Sequence, residues 1–115
     1  VAEKLHAIAL LGMTNSRLKD YLDLSILLDR ETLDAETLAS AIAATFIRRG
    51  MAIPASLPVG LTDEFSGDAT RQALWHAFLK KNELAQQALP DTVVCVRTAL
   101  EPALIRAAEL GGRQE

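Results

Sequence analysis

Helical periodicity, cut into short lengths by glycine and proline, constrains this chain more than any other feature. Leu38, Ala41, Ile42, Thr45 and Phe46 fall at i, i+3, i+4 spacing, which gathers them on one side of a helix. Asp34 precedes that stretch as a cap, and Gly50 follows Arg49 as a stop, so a helix is predicted over 35–49. The same grammar repeats along the chain. A first helix is predicted over 2–11 with Gly12 as its stop, and a second from Arg17 to about Leu28 with Ser16 as its cap. Asp68 caps a helix over 69–81, whose predicted apolar face is Leu74, Trp75, Phe78 and Leu79. Burying Trp75 and Phe78 should contribute roughly 2 to 3 kcal/mol each. Pro90 and Asp91 open the last helix, with Val93, Val96, Leu100, Leu104 and Ala108 on its face, and Gly111 and Gly112 end it. Pro102 lies inside this pattern and is expected to kink or split the helix.

Between these helices, residues 51–61 carry Pro54, Pro58 and Gly60 and read as a loop pinned by Ile53, Leu57 and Leu61. Thr62 to Phe65 read as a short turn. The predicted fold is all-α, an irregular bundle of about five helices in a single helical domain over 1–115.

Composition supports this reading and excludes several functions. Half of the residues are hydrophobic, with few aromatics, which suits a folded helical domain. The net charge of −3 opposes a free-standing nucleic-acid binder, which carries a basic surplus. The single cysteine, Cys95, excludes an internal disulfide. With no secretory or membrane-spanning stretch in view, a cytoplasmic location is expected. The helical pattern begins at once after Val1 with no capping residue, which suggests a truncated or processed chain.

Ionisable residues concentrate against apolar surface in residues 3–28. The first helix is apolar nearly all round, as central helices are, and Lys4 lies between Ile8 and Leu11 on its wheel. Such a lysine either snorkels to water along its neighbours or is held in a cleft as a point charge for a phosphate. On the second helix, Lys19, Asp20 and Asp23 share one sector with Arg30, and apolar residues cover the rest. Ordinary helix pairing of Arg17 with Asp20 and Lys19 with Asp23 would stabilise by about 0.2 to 0.5 kcal/mol each. Lysine before aspartate is the weaker order, so helix stability alone does not call for this arrangement.

The other candidates read as structural. His6 and His76 lack a second ligand at metal spacing and read as surface or rim residues. Cys95 reads as a small core residue. Arg48, Arg49, Lys80 and Lys81 stand in the last turns of their helices, where they offset the macrodipole.

Glu3-Lys4-Leu5, followed by Asn15-Ser16-Arg17-Leu18-Lys19-Asp20-Tyr21-Leu22-Asp23-Leu24, resembles the AbiEii/AbiGii toxin family of nucleotidyltransferases. Ala44-Thr45-Phe46-Ile47-Arg48-Arg49-Gly50 and the stretch from Phe65 to Phe78 look similar as well. The resemblance is to the C-terminal, helical half of that family. It implies that Lys4 meets the nucleotide triphosphate, that Asp20 is the aspartate of the last family motif, and that Arg17 is a phosphate contact. Lys19 and Asp23 would belong to the same substrate-binding wall, with Asp23 orienting Lys19 or nearby backbone.

The family's N-terminal half, with its Gly-rich motif and magnesium-holding carboxylates, has no counterpart in this sequence. The implied reaction is nucleotide transfer from a nucleoside triphosphate, which relies on metal ions that this chain alone is not expected to hold. Mg2+ and nucleoside triphosphate are therefore expected of the full-length parent, and this chain alone is expected to be inactive. The implied partners are the N-terminal nucleotidyltransferase domain, a cognate antitoxin and, through the parent, tRNA. A second reading, from a different class, is a non-catalytic helical module for protein interaction or homo-oligomerisation.

Overall fold

The computed structural model describes residues 1–12, 18–30 and 34–112. Among the described residues six α-helices follow one another: α1 (Ala2–Leu11), α2 (Leu18–Arg30), α3 (Ala35–Arg48), α4 (Asp63–Ser66), α5 (Ala69–Lys81) and α6 (Leu89–Gly112). A 3-10 turn, Val59–Leu61, precedes α4. The described residues contain no strand, and the all-α fold read from the sequence holds. The turn expected at 62–65 is the four-residue helix α4, which makes the sixth.

Local chemistry explains most helix ends. The Asp34 carboxylate accepts from the Thr37 backbone N–H at 2.9 Å, and the Asp68 carboxylate accepts from that of Arg71 at 2.9 Å. Gly50 takes φ 69°, the left-handed conformation that a stop after a helix favours. The expected cap Ser16 lies outside the described residues.

Pro102 does not split α6, which runs unbroken from Leu89 to Gly112. Both Pro102 and Thr98, whose carbonyl loses its donor, are exposed. Solvent can therefore satisfy that carbonyl.

One core runs through the molecule. α3 packs chiefly on α6, α1 lies against α3, and α2 lies against α6. Leu5, Ile8, Tyr21, Leu24, Ile42, Phe46, Leu61, Phe65, Trp75 and Leu100 are fully buried in it. Ile53 and Leu57 pack against its edge, as expected of the loop.

Several side chains depart from the sequence reading. His6 is buried, with its ring edge-on to Phe46 at 5.2 Å, and is not a rim residue. Cys95 is exposed and not in the core, because the buried strip of α6 passes through Val93, Val96, Leu100, Ala103 and Ala107. Ala108 is accordingly half-buried, with Ala107 in the core position. Leu74 is exposed, so α5 buries only the narrower pair Trp75 and Leu79, with Phe78 beside them. No helix among the described residues is long and apolar enough to cross a membrane.

Candidate functional site

Lys4 and the two aspartates of α2 come together. Asp20 and Asp23 are three residues apart, which sets their carboxylates side by side on one face of α2. The Lys4 ammonium reaches both from α1, at 3.4 Å from Asp20 Oδ1 and 3.0 Å from Asp23 Oδ2. The Lys4 charge ends on carboxylates rather than simply in water.

Burial grades the three groups. The Asp20 side chain is 5% exposed, Asp23 27% and Lys4 32%, so the cluster runs from the interior to the surface. Asp20 belongs to the polar sector of the isolated helix but is buried in the fold, where Lys4 of α1 reaches it. The hydrogen bond to Asp23 is the main reason the Lys4 pKa rises above the usual lysine range. Burial pulls it down, and the Asp23 charge and the Asp20 bond and charge outweigh that pull.

Lys19 does not join this cluster. Lys19 is exposed, and Asp23 pairs with Lys4 in place of the expected Lys19. Arg17 lies outside the described residues.

A second charged group, unanticipated in its partners, adjoins Lys4. Glu3 receives hydrogen bonds from Arg48 and, at 2.7 Å, from Arg49. Burial acts to raise the Glu3 pKa, but the bonds and charges of the two arginines hold it below the usual carboxylate range. The two arginines thus do more than offset the helix dipole. The available signal was Glu3 itself, an acid beside Lys4, but its partners stand 45 and 46 residues away.

Lys4, Glu3, His6, Leu10, Leu11 and Arg49 contribute to the lining of a surface groove of about 470 Å³. Its lining is part charged and part apolar. An ammonium has three N–H donors, and the two carboxylates can take two of them. The third remains for a ligand oxygen.

This donor set does not fit a magnesium ion. Asp20 and Asp23 already face the Lys4 ammonium, and a divalent cation there would sit against a like charge. Among the described residues, no three His, Cys, Asp or Glu side chains converge as metal ligands.

Residues 1–102 match the family model described as nucleotidyl transferase AbiEii toxin, type IV TA system. No curated protein and no solved structure gives a significant match.

Proposed function

The chain belongs to the AbiEii nucleotidyl transferase toxin family, and from that premise we propose that it forms one wall of a nucleoside-triphosphate cleft. Lys4 is the phosphate contact, and Asp20 and Asp23 hold its ammonium in place. The observation that carries this reading is the half-exposed Lys4 ammonium, fixed by two carboxylates beside an open groove.

The raised pKa keeps Lys4 charged at any physiological pH. Fixing a long side chain before the ligand arrives lowers the entropy lost on binding. Arg49, paired with Glu3, lines the same groove, while Leu10 and Leu11 offer apolar surface to a sugar or base. Arg17 is a second phosphate contact, and Lys19 supplies charge at the rim.

Magnesium, when bound with the triphosphate, would supply the charge neutralisation that nucleotidyl transfer requires. Its ligands in this reading come from the family's N-terminal nucleotidyltransferase region, not from Asp20 or Asp23. Family membership implies a cognate antitoxin, and tRNA is the acceptor class carried over from the family resemblance.

The test uses the full-length parent with labelled nucleoside triphosphates and total RNA. Lys4→Ala should abolish transfer while the helical circular dichroism spectrum is retained. Full activity in a folded Lys4→Ala protein overturns the reading.

A further inference from the structure

We infer that the 3-10 turn Val59–Leu61 is a spacer that sets how closely Lys4 approaches Asp20, with Gly60 and Tyr21 as its positioning residues. Its functional meaning rests on Lys4 being a phosphate contact; its structural content does not.

Lys4 and Ile8 lie one helical turn apart on the same face of α1, about 6 Å along the axis. Asp20 and Tyr21 are neighbours on α2. While Lys4 meets Asp20, both Ile8 and Tyr21 meet Gly60. A methyl group at Gly60 would lie 2.7 Å from Ile8 Cγ2, 2.7 Å from Tyr21 Oη and 3.3 Å from the Ile8 carbonyl oxygen. One glycine backbone therefore fills the gap between the two helices at that level, and nothing thicker fits.

The turn is tied to both helices and braced from behind. Tyr21 Oη donates to the Gly60 carbonyl at 2.9 Å in a buried bond, and the Tyr21 ring stacks on Phe65 at 5.1 Å. A methyl at Gly12, just past α1, would meet Val59 Cγ1 at 3.1 Å, so the turn also abuts the end of that helix. From α6, Arg97 donates to the Leu61 carbonyl at 3.3 Å and to Asp63 at 3.2 Å. Leu61 itself is fully buried. A turn braced on α6 cannot yield easily, so a change in its thickness or its Tyr21 bond passes to α1 and α2. The Lys4–Asp20 distance, one turn along, is where that change is read.

The experiment is nitrogen-15 spectroscopy of the lysine ammonium groups in the 115-residue chain, at slightly acidic pH and low temperature. The Lys4 signal is assigned by its loss in Lys4→Arg. In Tyr21→Phe, which keeps the ring and loses the buried bond, Lys4 ammonium protons should exchange with water about fivefold faster. Gly60→Ala should shift the same signal further. Leu79→Ala, which removes core volume in α5, is the control and should leave it in place.

An unchanged Lys4 signal in folded Tyr21→Phe overturns the inference. So does a change of equal size in Leu79→Ala, which would mark general loosening. Should Gly60→Ala not fold, Tyr21→Phe decides alone. Added inorganic triphosphate tests the other reading separately. A Lys4 signal that follows Tyr21→Phe but ignores triphosphate supports the spacer, and the phosphate contact is then decided by Lys4→Ala in the transfer assay.

Discussion

At Lys4 the balance of charge decides what a substitution does. Two carboxylates face one ammonium, and Asp20 is nearly buried, so removing the lysine takes a counter-charge from a carboxylate set against the core. Lys4→Met keeps most of the stem and removes the charge. It should lower stability by about 1 to 2 kcal/mol, below the cost of breaking a fully buried pair because Lys4 and Asp23 are partly solvated. Adding Asp20→Asn to Lys4→Met should restore part of the loss, since the carboxylate that lost this counter-charge is neutralised. Urea denaturation of the three proteins checks the sign. A double variant no more stable than Lys4→Met would show that charge is not the issue. The pH dependence follows from the raised Lys4 pKa. Its contribution is complete below the unfolded value near 10.5 and is lost as pH rises through the higher folded value. The gap between wild type and Lys4→Met should therefore be constant around neutral pH and close in strong alkali.

The elements answer to shorter-range forces. Asp68 caps α5 through the Arg71 N–H, so Asp68→Ala should cost about 1 kcal/mol, while Asp68→Asn should cost much less. Thermal unfolding of both variants measures the difference, and equal losses would contradict the cap. The same locality explains what the sequence could announce. Asp34, Asp68 and Gly50 act within a few residues, so the bounds of α3 and α5 were legible from their neighbours alone. Burial is set by other elements and was less so. The wheel gave α5 a broad apolar face, yet Leu74 is solvent-exposed because only Trp75 and Leu79 turn into the core. Asp20 belonged to a polar sector, yet the fold buries it. Of the site, the residue types at 4, 20 and 23 were readable, but not their mutual contact. Lys4 meets partners 16 and 19 residues on, and helix periodicity carries no information about such pairs.

Across the whole molecule, cooperativity should be uneven. The body measures 45 × 28 × 21 Å, and α1, α2, α3 and α6 share close packing through the central pair α3 and α6. α5 is attached differently. Its backbone approaches α4, and its hold on the remainder depends on buried side chains, above all Trp75 and Leu79. Trp75 also donates its indole N–H to the Gln87 carbonyl at 2.8 Å, tying α5 to the segment that leads into α6. Helices fixed by few side chains open at lower free energy than those in the central stack. Trp75→Ala should remove about 3 to 5 kcal/mol of packing, nearly all of it from α5. Hydrogen exchange followed by mass spectrometry should then show α5 amides exchanging freely while α3 and α6 stay protected. The Lys4 cluster, on the opposite side of this division, should keep its ammonium signal. Uniform loss of protection in all helices would show instead that the six unfold as one unit. In that case α5 is as much a part of the cooperative core as α3, and the attachment through Trp75 is a feature of packing without a stability boundary behind it.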